Sequence, residues 1–199
     1  MKNTMDFYDK TAADWAETGY NNPSDVPSMF DFAIEYPQGS RFLDLCCGCG
    51  YETMRLHALG YDVVGIDFSS NSIAIAREKN PEMIFYEDNL LNDYSYIGKV
   101  DAVFVIAGLV HIEENQLPQA FRQIHRVLNP DGRAFITVYE GHGKMIKRSL
   151  KMIDGEEYDR NFIGHTLNDL ICAAEPLFAF EREVDYDGTE WHNYIFRAL

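Results

Sequence analysis

Residues 41–67 read RFLDLCCGCGYETMRLHALGYDVVGID and contain the pattern that decides the fold. The apolar stretch Arg41–Leu45 predicts a short strand, and the glycine-rich loop after it leads into a predicted helix closed by Gly60. A second apolar stretch, 61–67, predicts another strand. A strand, a helix and a strand in this order predict a βαβ unit in which the two strands are parallel.

The alternation of strands and helices continues along the chain. Apolar stretches predict three further strands, at 83–86, 101–106 and 133–139. Apolar spacing and end signals predict helices at 6–19, 25–36, 70–80 and 116–128. This pattern predicts an α/β fold with a doubly wound, mostly parallel sheet.

The C-terminal part of the chain follows a different pattern. Residues 140–165 are the least regular part of the sequence, and a capping box at 166–169 predicts a helix that ends near Pro176. Two predicted strands, 178–184 and 190–197, then flank an Asp187-Gly188 dipeptide, which is typical of hairpin turns. These two strands bring the predicted sheet to seven strands and give it a C-terminal antiparallel hairpin.

Composition and charge narrow the class of protein. The chain has 199 residues, which favours one domain, and its 17 basic and 32 acidic side chains give a net charge of −15. So much negative charge disfavours DNA or RNA as a partner. The longest apolar run, Ala102–Val110, is too short to cross a bilayer, and the first ten residues contain no secretory signal. We therefore expect a cytoplasmic protein with no membrane or nucleic-acid partner.

Three of the four cysteines, at positions 46, 47 and 49, lie too close together to join distant parts of a fold. Their spacing matches no common zinc pattern, and no second Cys/His pair follows them. We therefore interpret them as thiols and predict no metal site.

Polar side chains at the ends of the predicted strands indicate a ligand site. Asp67 ends the second strand 19 residues after Gly48, a spacing typical of an acid that binds ribose hydroxyls. Asp88 and Asn89 follow the third strand, where an adenine amino group could bind. A dinucleotide fingerprint would need Gly or Ala at position 53, which is Thr53 here. A ligand with ribose and adenine but no phosphate fits this pattern better.

Several segments, in this order and at these spacings, resemble class I S-adenosylmethionine-dependent methyltransferases. The segments that carry the resemblance are FYDKTAADWA (7–16), FLDLCCGCG (42–50), VVGIDFSSNSIAIAREK (63–79), YEDNLL (86–91), DAVFVIAGLVHI (101–112), LNPDGRAFITVYEG (128–141) and EWHNYIFRAL (190–199). Two positions depart from the family pattern, because Cys46 and Asp131 stand where glycine is usual. A cysteine at position 46 is acceptable if its φ is negative, since only a positive φ demands glycine.

The resemblance implies a single methyltransferase domain over residues 1–199. Residues 1–38 would form N-terminal lid helices, 39–139 the cofactor-binding core, and 140–199 a substrate-side insertion with the hairpin. The implied cofactor is S-adenosyl-L-methionine, and the implied reaction is direct methyl transfer to an oxygen or nitrogen of a small molecule. The acidic surface favours a neutral or cationic acceptor. A non-catalytic S-adenosylmethionine-binding regulator and an NAD-dependent oxidoreductase remain alternatives.

The resemblance also assigns roles to individual residues. The implied cofactor-binding residues are Tyr8, Trp15, Asp44, Cys46, Gly48, Asp67, Phe68, Asp88, Asn89 and Ile106. Asp44 would orient the methionine end of the cofactor, or else it would bind the backbone amides of the turn after the first strand. Phe68 would stack on adenine or join the core, and the aromatic rings at positions 8 and 15 would cover the cofactor or dock their helix. His111, after the fourth strand, is a candidate general base or a structural histidine.

Overall fold

The computed structural model describes residues 4–141, 145–153, 155–184 and 189–199. The described helices are α1 (Thr4–Asn21), α2 (Ser28–Ala33), α3 (Tyr51–Ala58), α4 (Ser70–Lys79), α5 (Leu117–Val127) and α6 (Leu167–Ala174). The described strands are β1 (Arg41–Leu45), β2 (Asp62–Asp67), β3 (Ile84–Glu87), β4 (Val100–Ile106), β5 (Leu128–Tyr139), β6 (Met145–Ile153), β7 (Glu156–Ile163), β8 (Phe178–Val184) and β9 (Trp191–Ala198). None of these helices combines the length and the apolar character that crossing a bilayer requires.

Seven strands form one sheet in the order β3-β2-β1-β4-β5-β9-β8. The five strands from β3 to β5 are parallel, whereas β9 runs antiparallel to both β5 and β8. The predicted doubly wound sheet with an antiparallel C-terminal hairpin is therefore confirmed. The predicted Asp187-Gly188 turn lies outside the described residues. The chain order reverses between β1 and β4, and ligands of open α/β sheets bind beside such a reversal, at the carboxyl ends of the strands.

Helices cover both faces of the sheet because successive strand residues point to opposite sides. Leu43 and Val103 point to one face, where they belong to an aliphatic cluster that includes residues of α5 and α6. Phe42 and Phe104 point to the other face, where the ring of Phe104 packs against those of Phe42 and of Phe32 in α2. The result is a three-layer arrangement in which both cores are fully buried.

The N-terminal segment that the sequence predicts as a lid divides into two parts. Helix α2 packs on the aromatic face of the sheet, where Met29 and Ala33 are fully buried, so it is a core helix. Helix α1 instead lies against α3, α4 and β7. Asp9 of α1 accepts a hydrogen bond from the Ser69 hydroxyl at 2.6 Å, and it also accepts one from the Asn71 amide at 3.2 Å. Only α1 is therefore placed at the carboxyl edge of the parallel strands.

Residues 140–165, which the sequence leaves without an assigned element, contain the β6–β7 pair. These two strands form a separate antiparallel sheet, and β7 contacts both α1 and the short turn after β4. The Asp154-Gly155 dipeptide is a hairpin signal that could have located this pair from sequence. The pair therefore extends the wall of the carboxyl edge beyond the seven-stranded sheet.

Candidate functional site

The loop between β1 and α3 lies at the carboxyl edge and is held by backbone hydrogen bonds. The amides of Cys46 and Cys47 both donate to the carbonyl of Ile66, at 2.7 and 3.0 Å. Gly48 has a φ of +52°, and a Cβ added there would meet no atom within 4 Å. Gly48 therefore presents its backbone to open space, where a ligand could approach closely.

Asp67 is the central charged group of this edge. Its side chain is buried, and its two carboxylate oxygens accept hydrogen bonds from the Gly48 amide at 2.9 Å and the Ser69 amide at 2.8 Å. Burial raises the pKa of Asp67, and the two amides oppose that shift. Because each carboxylate oxygen has two acceptor sites, Asp67 keeps capacity for two more donors.

Asp44 lies at the base of the same edge and is almost fully buried. The hydroxyl of Thr53, which is fully buried, donates to its carboxylate at 2.6 Å. Burial raises the pKa of Asp44 to about 7, although the Thr53 hydrogen bond opposes the shift. The threonine that breaks the dinucleotide fingerprint is therefore the partner of this acid.

The raised pKa of Asp44 predicts a pH-dependent stability. The folded protein keeps the Asp44 proton up to about pH 7, whereas the unfolded chain releases it near its ordinary value of 3.8. Between those values the folded state binds more protons, so Asp44 lowers the free energy of unfolding as the pH rises, by up to about 1.4 kcal/mol per unit. We expect Asp44→Asn to flatten the curve of unfolding free energy between pH 5 and 7, measured by denaturant titration. Parallel curves for the two proteins would contradict this assignment.

The condition of a negative φ at Cys46 is not met. Its φ is +68°, in the left-handed region that favours glycine. The hydrogen bonds of the loop amides to Ile66 fix this turn, and the Cys46 thiol fills the space beside Gly108, where a Cβ would come within 2.7 Å of its sulfur. Asp131, the second departure from the family pattern, also has a positive φ, +59°. Both departures from the family pattern therefore occur where the backbone has the positive φ that favours glycine.

A cysteine-to-glycine pair tests this strain. At Cys46, glycine removes a left-handed penalty of about 1–2 kcal/mol and adds an entropic cost of about 0.5–1 kcal/mol. We therefore expect Cys46→Gly to leave the free energy of unfolding unchanged or to raise it by up to about 1 kcal/mol. Cys172→Gly, on an exposed position of α6, is expected to lower it, because glycine weakens a helix. Equal losses in both variants, measured by chemical denaturation, would contradict strain at Cys46.

The loop after β3 holds Asp88 in a fixed position. Its Oδ1 accepts from the Asn89 amide and the Asn92 side chain, both at 2.7 Å, and its Oδ2 accepts from the Tyr96 hydroxyl at 2.8 Å. The Asp88 amide in turn donates to the carbonyl of Asp67 at 3.0 Å, which links the ends of β2 and β3. These contacts orient Asp88 within the loop and leave Asn89 exposed beside it.

Tyr94 is a member of this edge that the sequence analysis missed. It is fully buried, and its hydroxyl has no hydrogen-bond partner among the residues that the structure describes. Burial raises its pKa, and the nearby Cys46 and Asp88 raise it further. A buried hydroxyl without a partner, between the first and third loops, is an unsatisfied polar atom that a bound ligand could pair.

Helix α1 closes the edge with aromatic side chains. The ring of Tyr8 packs edge-to-face on Phe68 at 6.0 Å and lies 6.2 Å from Trp15. Its hydroxyl lies 2.9 Å from Nε2 of His111 and accepts a hydrogen bond from Arg160 at 3.2 Å. The Tyr8 hydroxyl therefore links His111 to Arg160, and the direction of the Tyr8–His111 hydrogen bond depends on the tautomer of the imidazole.

The predicted site residues thus divide by location. The side chains at positions 8, 15, 44, 46, 67, 68, 88 and 111 line or support the carboxyl edge together with Gly48 and Asn89. Ile106, at the end of β4, packs partly buried against the aromatic core cluster. Among the described residues, no three His, Cys, Asp or Glu side chains gather as a metal site.

Comparison with known proteins agrees with this geometry. A family model described as a methyltransferase domain matches residues 42–132, which include the loop, the acids and strands β1 to β4. This part of the chain, 91 of its 199 residues, is therefore similar to a methyltransferase domain. The fold of the chain is similar to a TehB-like SAM-dependent methyltransferase from Corynebacterium glutamicum, with a TM-score of 0.76, 21% identity, and coverage of 98% of this chain and 99% of that chain.

Two further proteins are similar to this chain, one in fold and one in sequence. Magnesium protoporphyrin IX methyltransferase from Synechocystis, solved with bound SAM, matches with a TM-score of 0.74 and 15% identity over 98% of this chain and 95% of that chain. A 2-phytyl-1,4-naphtoquinone methyltransferase from Nostoc punctiforme is 34% identical over 108 residues, covering 49% of this chain and 46% of the relative. The chain spans about half the length of several of the curated relatives that it matches.

Proposed function

We propose that this protein is an S-adenosylmethionine-dependent methyltransferase that acts on a small molecule by direct transfer to oxygen or nitrogen. The observation that carries the proposal is the pairing of the open backbone at Gly48 with the buried carboxylate of Asp67, 2.9 Å from the Gly48 amide. When bound, S-adenosylmethionine supplies a methyl group on a positively charged sulfur. The residues around the carboxyl edge would bind and orient the substrates, exclude water and accept the proton.

The residues present fit this cofactor. The two remaining acceptor sites of Asp67 suit the two hydroxyls of a ribose, and the missing side chain of Gly48 leaves room beside them. Asp88 and Asn89 would bind the adenine, with Phe68 packing on it. The hydroxyl of Tyr94 offers a further donor to the ligand.

The methionine end of the cofactor would lie toward Asp44. Its carboxylate suits the positively charged amino group of the methionine, and the Thr53 hydroxyl holds it in place. A bound cation favours the charged form of Asp44, so cofactor binding would lower the pKa of this acid from about 7.

The lid residues would position the acceptor and exclude water. Tyr8 and Trp15 bring apolar surface to the site. Holding the acceptor in line with the methyl group lowers the activation barrier by about 7–11 kcal/mol in favourable cases. His111 would accept the proton that an oxygen or nitrogen acceptor loses, through the Tyr8 hydroxyl or after that contact opens.

Labelled methyl transfer tests the proposal. The protein is incubated with S-adenosylmethionine carrying a labelled methyl group and with pools of small metabolites, and the labelled products are separated. We expect label in a small molecule, lost in Asp67→Ala and strongly reduced in His111→Ala. Cofactor binding without transfer to any pool would favour the regulatory alternative, and binding of NADH instead would favour the oxidoreductase.

A further inference from the structure

Arg160 of β7 lies inside a cage of aromatic rings. Its guanidinium carbon is 4.6 Å from the ring centre of Phe162, and it is 5.1–5.6 Å from those of Phe7, Tyr8 and Trp15. Three of the four rings belong to α1, so the arginine connects the β6–β7 pair to the lid. Cation–π contacts hold the guanidinium in one place.

Arg160 has no acidic partner in the part of the chain that the structure describes. Among the residues that the structure describes, no carboxylate forms an ion pair with it, whereas Arg55, Arg126 and Arg133 are each paired with an acid. One N–H donates to the Tyr8 hydroxyl, and the solvent-shielded Nε has no partner within the described part of the chain. A guanidinium offers five N–H donors in a planar fork, so most of its capacity remains unused.

The strand that pairs with β7 is rich in basic residues. Residues 144–151 include four of the 17 basic residues of the chain and no acidic ones, although the whole protein has a net charge of −15. Strand β6, which covers most of this stretch, pairs with β7, and Ser149 is opposite Arg160 in the register. Strand β6 is therefore basic on an acidic protein, whereas β7 carries three acidic residues, Glu156, Glu157 and Asp159, beside Arg160.

We propose that Arg160 binds a carboxylate of the methyl acceptor, so that the substrate is a small organic acid with a planar or apolar body. This inference rests on the proposed methyltransferase function. Arg160 reaches the reacting region through Tyr8, which contacts both Phe68 beside Asp67 and His111. A planar carboxylate matches the guanidinium fork with two parallel hydrogen bonds, and the aromatic rings accommodate an apolar body.

This assignment reverses the expectation from net charge. The acidic composition favours a neutral or cationic acceptor, because summed charge acts at long range. Binding, however, is decided by the groups in contact with the substrate, and within an apolar cage the one unpaired cation outweighs screened surface acids. Arg160 is therefore a specificity-determining residue.

The test uses defined acids and their neutral amides as probes. Protein saturated with S-adenosylhomocysteine is titrated with benzoate, phenylacetate and 3-phenylpropionate, and with the amide of each, while ¹⁵N–¹H spectra follow the arginine Nε–H signals. We expect at least one acid to bind about tenfold or more tightly than its amide and to shift the Arg160 signal. Acids that bind no better than amides at millimolar concentration would overturn the proposal, as would a clear preference for phenyl phosphate over all three acids.

Three variants separate binding from folding. Arg160→Met fills the cage without charge and is expected to abolish the preference for the acid. Arg160→Lys keeps the charge but loses the planar fork, so it is expected to retain only part of the preference. Arg126→Met, at an exposed ion pair with Asp93, serves as the matched control and should behave as the unchanged protein. An undiminished preference in Arg160→Met would overturn the proposal.

A separate titration with S-adenosylhomocysteine distinguishes this inference from the proposed function. Arg160→Met should bind it within a few-fold of the unchanged protein. If the product binds and no acid is preferred, the carboxylate assignment is wrong and the methyltransferase proposal stands. If the product fails to bind while the acids still shift the Arg160 signal, the proposed function is wrong and the carboxylate site stands.

Discussion

S-adenosylhomocysteine at a hundredfold excess over its Kd is expected to raise the thermal unfolding midpoint of this protein by about 5–11 °C. A ligand that binds only the native state adds about 2.7 kcal/mol at that excess. For a domain of 150–250 residues, each kcal/mol moves the midpoint by about 2–4 °C. NADH at the same concentration is expected to leave the midpoint unchanged, because Thr53 replaces the third glycine of the dinucleotide fingerprint and its hydroxyl is bonded to Asp44.

Asp67→Ala is expected to remove most of that shift. The substitution deletes the acceptor for the ribose hydroxyls, and each charge-assisted hydrogen bond contributes about 1.5–3 kcal/mol. It also removes the contacts to the Gly48 and Ser69 amides, so the midpoint without ligand will fall, and the ligand-induced shift is the quantity to compare. Asp62→Ala, at the exposed start of the same strand, is the matched control and should keep the full shift.

Two outcomes of the ligand titrations would contradict these expectations. Stabilisation by NADH without stabilisation by S-adenosylhomocysteine would make the dinucleotide interpretation correct. An undiminished shift in Asp67→Ala would remove Asp67 from the binding site even if the cofactor assignment held.

Two glycine-to-valine substitutions in the loop after β1 are expected to have different effects, one on ligand binding and the other on stability. At Gly48 a Cβ meets no protein atom, so Gly48→Val should fold, with a strain of about 1–3 kcal/mol from its positive φ. Its side chain would occupy the space proposed for the cofactor, and binding of S-adenosylhomocysteine should be lost. At Gly50, which has a φ of +80°, a Cβ would come within 2.8 Å of the Phe85 ring, so Gly50→Val should lose more stability.

Isothermal titration and chemical denaturation separate these two failures. Gly48→Val is expected to show a cooperative unfolding transition and no detectable binding. Gly50→Val is expected to show the larger loss of unfolding free energy, because the ring of Phe85 is held in the core and cannot move away. Similar, mild effects of both substitutions on binding and stability would contradict this map of the loop.

Local signals in the sequence determined most of the framework. The apolar stretches of β1, β2 and β4 report burial directly, because strands covered on both faces must be apolar throughout. The Thr166–Asp169 capping box is read from neighbouring residues and occurs as predicted, and Ser69 caps α4 in the structure. The spacing from Gly48 to Asp67 places both at one edge because parallel strands end together, and the two are hydrogen-bonded.

Only the tertiary structure decided how the lid is assembled and what Arg160 and His111 contact. Tyr8 lies 103 residues from His111 and 152 residues from Arg160 in the chain, and no periodic pattern relates such distant positions. The positive φ of Cys46 likewise follows from hydrogen bonds to Ile66 of a neighbouring strand. Sequence patterns report local propensity and burial, whereas these contacts depend on how complete elements pack. The sequence therefore determined the carboxyl edge that holds Gly48 and Asp67, and packing of α1 against β7 decided which side chains enclose that edge.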